Sequence, residues 1–511
     1  MSFEQLVLPL GGLAPPTEPT RIPRTRRVFV NRNLRLGHID WVGFDMDYTL
    51  AIYNQTEMDC LSIQGTISKL AARGYPEEML RQITYPVHFP MRGLLIDKRH
   101  GNVLKMDRFK VVQKGYHGLR ELSKDEVRAL YQQRKIRPNT ARYHWIDTLY
   151  ALSEATLYAG IVDVLERRGV EVDYARLFTD IRECIDEAHR DGTIIDVVMN
   201  DLPRFVERDP NLAPTLHKLR SAGKKLFLLT NSRWPFTEKM MTYLLGDAMP
   251  EYPSFRHYFD VIVVAAQKPA FFQERRPLMI RDGDEFRPAA PPLERGAIYE
   301  GGNLQDFERF LNISGDRVLY VGDHIYGDIL RSKKESAWRT AMIIQEMEAE
   351  VAAHEACRDQ YTQCSVLESR REELEDQLRF YQQRYKDLTR RIEEDQLKPN
   401  GAGRPDGGGA PRMDFAASFQ EAERARAKRA VERIRGQLRA VDADIARIER
   451  DIDRHFHPYW GSLLKEANET SSFGDQVEEY ACIYTSRVSN LLAYSPLQTF
   501  RSPRDLMPHE L

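Results

Sequence analysis

Two aspartates one residue apart, Asp45 and Asp47, stand directly after an apolar run and before a turn-prone Tyr-Thr pair. The run over 39–44 is short and contains a glycine and a β-branched valine, which predicts a strand inside a sheet. Open α/β sheets place their ligands at the C-terminal ends of such strands. Two carboxylates this close repel each other unless a cation lies between them or one is protonated. The pair therefore favours a cation-assisted reaction site over the alternative, an Asp-rich turn that ends a strand.

Three more apolar runs lead into polar side chains in the same way. Segment 225–229 precedes Thr230, Asn231 and Ser232, segment 258–264 precedes Lys268, and segment 317–322 precedes Asp323 and Asp328. Helical patterns alternate with these runs, which predicts a parallel sheet with helices on both faces. The C-terminal ends of parallel strands share one edge, so we expect these side chains to converge. A fifth strand over 338–344 is expected to close the sheet.

These residue types suit a metal ion. Mg²⁺ prefers hard oxygen ligands and commonly takes a few carboxylates plus waters. Asp45, Asp323 and the backbone carbonyl of Asp47 are the expected ligands. Asp328 is expected to orient Lys268 or the metal-bound waters.

The same residues suit phosphoryl transfer. Asp45 is expected to attack phosphorus and form an aspartyl-phosphate. Asp47 would protonate the leaving oxygen and later deprotonate the water that cleaves the intermediate. Lys268 and Thr230 are expected to hold the phosphoryl oxygens. Asn231 and Ser232, at the same edge and just before a helix N-terminus, are expected to bind the anionic substrate.

In this order the motifs resemble the haloacid dehalogenase superfamily, and an acid at position 47 resembles its phosphatases. The chain is more closely similar to the cytosolic purine 5'-nucleotidases, a likeness that covers almost its whole length. The resemblance rests on segments 27–32, 43–50, 268–272, 322–330 and 506–510. It implies Mg²⁺-dependent hydrolysis of nucleoside 5'-monophosphates, with IMP and GMP favoured. It also implies a capacity to transfer the phosphate to another nucleoside.

The resemblance further implies a helix in which Arg182, Asp186 and His189 read the purine, with Tyr150 as the stacking partner. From spacing alone, Arg182 and Asp186 are four residues apart and predict a helix-surface ion pair. His189 opposite Tyr150 is expected to complete an aromatic sandwich around the base.

Two departures from the family leave the substrate open. Ala151 stands where the family has Asn, and Ile195 stands where a lysine is expected. One alternative is a phosphatase of another phosphorylated metabolite. Another alternative is an interaction protein, in which a coiled-coil segment carries the function and the α/β body is a relic phosphatase without activity. The intact acids and lysine argue against the relic, because a relic is free to lose them.

The domain organisation follows from changes in pattern along the chain. We expect a flexible arm at 1–27, a Rossmann-like α/β core at 28–56 and 204–345, a mostly helical cap insert at 57–203, an antiparallel coiled-coil-like helical hairpin at 346–456, and a segment that packs back on the core at 457–511. A small β-meander is predicted in the insert over 92–113, and helices over 124–206. Heptad repeats that begin at Leu367 and Ile434 predict the hairpin, with a Gly/Pro loop over 398–411.

Bulk properties exclude several classes of protein. The 511 residues are 42% hydrophobic and 29% charged, an ordinary soluble balance. A net charge of -2 gives no general attraction to nucleic acid or to anionic membranes, and no apolar run could span a bilayer. Five cysteines without CxxC spacing favour reduced thiols in a cytoplasmic protein. A homo-oligomer, dimer or tetramer, is the expected assembly.

Overall fold

The computed structural model describes residues 22–132, 136–283, 285–397 and 415–503. Most of the predicted arm, the loop at 398–411 and the segment 506–510 lie outside the described residues. The chain divides into two compact units. The first comprises the residues up to 352 and those from 462, and the second comprises 353–461.

The elements follow one another in a mixed α/β order. The strands are β1 (Phe29–Val30), β2 (Leu34–Arg35), β3 (Trp41–Phe44), β4 (Ile52–Tyr53), β5 (Leu94–Asp97), β6 (Asn102–Met106), β7 (Val112–His117), β8 (Arg120–Glu121), β9 (Tyr143–Ile146), β10 (Val206–Glu207), β11 (Lys225–Leu229), β12 (Val261–Val264), β13 (Leu278–Asp282), β14 (Glu285–Pro288), β15 (Ile298–Gly301), β16 (Val318–Gly322), β17 (Arg339–Ile343), β18 (Lys465–Glu466), β19 (Glu469–Thr470), β20 (Ile483–Thr485) and β21 (Thr499–Phe500). The α-helices are α1 (Gln55–Ala72), α2 (Glu77–Gln82), α3 (Lys124–Val127), α4 (Leu152–Arg167), α5 (Tyr174–Arg190), α6 (Ile195–Asn200), α7 (Leu202–Phe205), α8 (Leu212–Ser221), α9 (Trp234–Leu245), α10 (Ala270–Gln273), α11 (Leu304–Leu311), α12 (Arg331–Glu335), α13 (Met347–Ala356), α14 (Arg358–Leu397), α15 (Phe415–Asp453) and α16 (Ser472–Tyr480).

The first unit is built on a ten-stranded sheet with the order β1-β20-β17-β16-β3-β11-β12-β15-β13-β14. Neighbouring strands from β20 to β15 are parallel. Strand β1 and the β13–β14 hairpin run antiparallel at the two edges. Every residue of β3 and β16 is buried, as the inner strands of a parallel sheet require. The predicted α/β class with a parallel central sheet is confirmed.

The prediction that the strand over 338–344 closes the sheet is wrong. Strand β20, near the C-terminus, pairs in parallel with β17, and β1 then pairs with β20. The rings of Phe29 and Tyr484 stack at 5.3 Å across that edge. On the other side, β15 continues the sheet beyond β12. A three-residue strand such as β20 is too short to carry a periodic signal, so the sequence could not place it.

The insert leaves and re-enters the core through the antiparallel pair of β4 and β10. It contains a five-stranded antiparallel sheet with the order β8-β7-β6-β5-β9, together with α1, α4 and α5, which pack against one another. Helices dominate 124–206, but β9 also lies in this range and pairs with β5 at the edge of this sheet. Pairing with a strand almost fifty residues away is a tertiary effect that local pattern cannot show.

An aromatic cluster lies under the central strands. The ring of Phe227 stacks on Tyr320 at 6.2 Å and meets Trp338 edge-on at 5.7 Å. All three residues are at least 98% buried. A Cβ atom at Gly43 would lie 2.0 Å from the Phe227 ring, so only glycine fits at this position of β3.

The second unit consists mainly of the two long helices α14 and α15. Cys357, which directly precedes α14, contacts Ile448 and Ile452 near the end of α15. Nearer the other end, Arg384 pairs with Glu423 at 2.7 Å. The two helices therefore run antiparallel. Within the described ranges, no helix is long and apolar enough to cross a membrane.

Candidate active site

Three parallel strands bring their C-terminal ends to one edge of the main sheet. Val321 of β16 lies opposite Phe44 of β3, and Leu228 of β11 lies on the other side of Phe44. Asp45 directly follows β3, and its N–H donates to the Val321 carbonyl at 2.9 Å. The residues that follow the three strand ends, Asp45, Asp323 and Thr230, therefore meet at this edge. The convergence that the sequence predicted is observed.

Lys268 lies at the centre of an acidic cluster at that edge. Its Nζ is 2.9 Å from Asp45 Oδ1 and 2.6 Å from Asp328 Oδ1, and it donates to the Tyr320 hydroxyl at 2.8 Å. One carboxylate oxygen from each of Asp45, Asp323 and Asp328 lies within 4.8 Å of the others. All these groups are buried, and hard oxygens so grouped can hold a small divalent cation.

Burial dominates the electrostatics of this cluster. It raises the pKa of Asp45 well above its ordinary value, raises that of Asp323 to about 7, and raises the pKa of Asp47 as well. Burial also lowers the pKa of Lys268, but Asp328 and Asp45 outweigh that effect and raise it overall. The lysine is thus held charged, while the surrounding carboxylates outnumber it.

Backbone features near the end of β16 explain how Asp328 reaches the cluster. A Cβ atom at Gly322 would lie 2.5 Å from the Asp328 side chain, so this glycine lets Asp328 approach the strand. The Asp328 carboxylate accepts from the Tyr320 hydroxyl at 3.2 Å and from the His324 N–H at 3.3 Å. It also contacts Lys268, and its role in orienting that lysine stays a prediction.

Both carboxylate oxygens of Asp47 accept hydrogen bonds. The Tyr53 hydroxyl donates to Oδ1 at 2.5 Å, and the Ser232 hydroxyl donates to Oδ2 at 2.6 Å. Tyr48, next along the chain, has a φ of +56°, so the backbone turns sharply after Asp47. Burial raises the pKa of Tyr53 well above its ordinary value, which keeps its hydroxyl a donor.

Asn231 and Thr230 hold the neighbouring loops in place. Asn231 exchanges two hydrogen bonds with the backbone of Lys268, at 3.0 Å and 2.6 Å. The Thr230 hydroxyl accepts from the Ser232 N–H at 3.1 Å. The three polar residues after β11 therefore fix the positions of Lys268 and of the Ser232 hydroxyl.

A cavity of about 680 Å³ opens next to Asp47. Its lining includes all six residues predicted to bind substrate, namely Asn231, Ser232, Tyr150, Arg182, Asp186 and His189. Ala151 and Ile195, the two departures from the family pattern, line it as well. The buried cluster around Lys268 is not part of the lining, and Asp47 connects the two regions.

Arg182 forms the predicted ion pair with Asp186, at 3.4 Å. It also forms a shorter one, at 2.9 Å, with Glu154 of α4. Glu154 is 1% exposed, and burial raises its pKa to about 7. Among the described residues its Oε1 has no hydrogen-bond partner. Glu154 is a cavity residue that the sequence did not indicate.

Tyr150 and His189 meet with perpendicular rings, 5.7 Å between centroids and 85° between planes. The aromatic sandwich around a base that the resemblance implies stays a prediction. Two contacts explain the geometry. The Tyr150 ring packs edge-on against Tyr48 at 4.7 Å, and the His189 Nδ1 is held at 2.9 Å from the Ile185 carbonyl.

Arg92 lies just before strand β5 of the insert sheet, and it too was not predicted from the sequence as a site residue. Its side chain is fully buried, and it pairs with Glu346 at 2.6 Å. It donates to the backbone carbonyl of Asp323 at 3.0 Å, and its guanidinium lies 4.0 Å from that residue's carboxylate. Arg92 therefore joins the insert to the acidic cluster. A single arginine before a short strand carries no sequence signal for such a role.

Comparisons with known proteins agree with the geometry. A model of the 5' nucleotidase family matches residues 28–511. A 5'-nucleotidase domain-containing protein of Dictyostelium discoideum is 29% identical, over 96% of this chain and 76% of its own length. The 5'-nucleotidase domain-containing protein 2 of Rattus norvegicus is 28% identical over 97% and 82%, and that of Homo sapiens is 28% identical over 98% and 88%.

Solved structures give a weaker likeness. CbbY from Rhodobacter sphaeroides, in complex with phosphate, is 14% identical and covers 60% of this chain and 86% of its own, with a TM-score of 0.23. A likeness at this level carries no argument about the site.

Proposed function

Because the chain belongs to the 5' nucleotidase family, whose members are phosphoric monoester hydrolases, we propose that it hydrolyses purine nucleoside 5'-monophosphates, IMP and GMP above all, with Mg²⁺. The observation that carries this proposal is the position of Asp45. It lies against Lys268 within a buried acidic cluster, and Asp47, two residues on, lines the adjoining cavity. A phosphate ester that extends from the cavity past Asp47 to the cluster would thus meet a nucleophile, a cation and a second acid together.

The donor set fits Mg²⁺. Asp45, Asp323 and the backbone carbonyl of Asp47 are the proposed ligands, and all are hard oxygen donors of the kind that Mg²⁺ prefers. The Asp328 carboxylate belongs to the same group of close oxygens and is the alternative third ligand. When bound, the ion would neutralise negative charge on the carboxylates and on the phosphoryl oxygens.

The residues can carry out hydrolysis in two steps. Asp45 Oδ forms a bond to phosphorus as the bond from phosphorus to the 5'-oxygen breaks, and Asp47 gives its proton to that oxygen. Asp47 then takes a proton from water, whose oxygen attacks phosphorus and releases the Asp45 carboxylate. Lys268 and Thr230 hold the phosphoryl oxygens. A nucleoside hydroxyl in place of water would give phosphate transfer.

The cavity supports a purine substrate. Tyr150 and His189 offer ring surfaces, and Arg182 and Asp186 offer a donor and an acceptor for the edge of a base. Ala151 and Ile195 stand in the same cavity lining where the family has polar residues, which favours a second candidate, a phosphatase of another phosphorylated metabolite.

A cytoplasmic location and a homo-oligomeric assembly remain proposals. All five cysteines are free in the structure, which agrees with a reducing compartment.

A panel of nucleoside monophosphates and sugar phosphates, assayed for phosphate release with Mg²⁺ and with a chelator, tests the proposal. We expect release from IMP and GMP that needs Mg²⁺. Asp45→Asn should lower kcat by at least ~10⁴-fold, because the attacking oxygen is lost. Asp163→Asn, near the C-terminal end of α4 and outside the cavity lining, is the control and should leave kcat unchanged. Release from sugar phosphates alone would favour the second candidate, and release from neither group would overturn both.

A further inference from the structure

The Asp47 carboxylate is held by two hydroxyl groups from different parts of the first unit. Tyr53 belongs to β4, where the chain enters the insert, and Ser232 follows β11 of the main sheet. Their hydroxyls lie 2.5 Å and 2.6 Å from the two oxygens of Asp47. A carboxylate with one donor on each oxygen has a fixed plane, because rotation about its last bond would break both contacts.

Tyr53 is itself held firmly. It is 5% exposed, and its ring packs against Tyr48 at 4.8 Å and Tyr150 at 6.3 Å. Strand β4 pairs with β10, and Val206 lies opposite Tyr53 in that pairing. The hydroxyl therefore has one direction in which to point, which is toward Asp47.

We propose that Tyr53 is a positioning residue, whose hydroxyl fixes the Asp47 carboxyl in the orientation needed to protonate the leaving oxygen. This inference rests on the proposed function, in which Asp47 is the acid and the base. The proton that reaches the leaving oxygen comes from the Asp47 carboxyl as the bond to phosphorus breaks. Tyr53 keeps its own proton throughout, so its effect acts only through Asp47.

Leaving groups that differ in their need for a proton separate this role from a structural one. A ribose 5'-oxygen leaves poorly without a proton, whereas p-nitrophenolate leaves readily without one. Tyr53→Phe should therefore lower kcat/KM for a nucleoside monophosphate by about 10-fold and change that for p-nitrophenyl phosphate by less than about 2-fold. The value of kcat/KM is the right quantity, because it reports the steps up to departure of the leaving group.

The matched control is Tyr75→Phe. The Tyr75 hydroxyl also donates to an aspartate, Asp180, at 2.7 Å, but neither residue lines the cavity. This variant should leave kcat/KM for both substrates unchanged. Phenylalanine keeps the ring packing at position 53, and melting curves establish that the variants fold. Ser232→Ala removes the second hydrogen-bond donor to Asp47. Like Tyr53→Phe, it should lower kcat/KM for the nucleoside monophosphate more than kcat/KM for p-nitrophenyl phosphate.

A double variant completes the test. In an Asp47→Asn background, Tyr53→Phe should have no further effect on nucleotide hydrolysis, since the group it positions is gone. An equal loss for both substrates in Tyr53→Phe would mean that Tyr53 only supports the fold, and no loss for either would mean that its hydroxyl is dispensable. Both results overturn the inference. A wild-type protein that releases no phosphate from either substrate would instead overturn the proposed function.

Discussion

Charge balance among a few side chains determines what the catalytic edge can bind. Asp45, Asp323 and Asp328 bring three carboxylates within 4.8 Å of one another, and Lys268 supplies one positive charge to two of them. With all groups ionised, the cluster lacks two positive charges. Burial makes such an imbalance expensive, so a divalent cation is favoured. When bound, such a cation would allow a phosphate dianion to approach Asp45.

Another buried acid, Asp59 of α1, lies away from this cluster and gives a stability prediction. Its Oδ1 accepts from Gln55 at 2.9 Å, while its Oδ2 has no hydrogen-bond partner among the described residues. Burial raises the pKa of Asp59 to about 8. Between about pH 4 and pH 8 the folded protein therefore holds a proton that the unfolded chain releases. That contribution to stability is full below pH 4 and is lost as the pH rises toward 8.

Asp59→Asn removes this loss because the amide does not ionise. Relative to wild type, we expect the variant's free energy of unfolding to rise by about 1–2 kcal/mol between pH 5 and pH 8. Urea denaturation at the two pH values measures the change. Asp125→Asn, at a side chain that is 96% exposed, is the control and should show no such rise. A variant that parallels wild type at both pH values would contradict the prediction.

At the scale of elements, the sequence predicted the inner strands well and the outer ones poorly. Strands β3, β11, β12 and β16 are mostly apolar runs, each followed within four residues by a polar site residue. Burial on both faces forces the apolar composition on them. Strands β9 and β20 depend on partners far away in the chain, and nothing local marks them. The same contrast holds at the site. Asp45 directly follows a strand end and Lys268 lies four residues beyond one. Tyr53, Arg92 and Glu154 reach the site through side-chain contacts that no local pattern marks.

The packing of β3 against β11 gives a prediction about the element that carries Asp45. A Cβ atom at position 43 would meet the Phe227 ring at 2.0 Å, and Phe227 is fully buried among other rings. Gly43→Ala should therefore lower the free energy of unfolding by about 1–3 kcal/mol. It should also lower kcat, since Asp45 lies two residues further along.

Denaturation curves and nucleotide hydrolysis measure these two effects. The double variant Gly43→Ala/Phe227→Leu gives the new methyl group space and should recover part of the stability. Gly436→Ala is the control, because nothing lies within 4 Å of a Cβ at that position of α15. Equal effects of Gly43→Ala and Gly436→Ala would show that strand packing is not the cause.

At the scale of the whole molecule, the catalytic unit is assembled from segments on both sides of the second unit. Residues from 462 onward supply β20 and β21, which pair with β17 and β2 of the first unit. The residues of the acidic cluster and of the cavity lie in the first unit. We therefore expect that the chemistry does not require residues 353–461 and that the helices α14 and α15 serve another role, such as assembly.

Removing the second unit tests this separation. Glu350 accepts hydrogen bonds from the Ser462 hydroxyl at 2.8 Å and from the Leu463 N–H at 2.6 Å. The residues of the first unit that flank the second unit in the chain therefore lie side by side, and a short Gly/Ser linker can replace 353–461.

We expect the shortened chain to keep kcat/KM for its nucleotide within about 3-fold of wild type, because each unit has its own core. Light scattering should show a smaller assembly if α14 and α15 join subunits. A shortened chain that folds but releases no phosphate would show that the second unit contributes to the active site. Asp45→Asn in the shortened chain is the matched control for background hydrolysis.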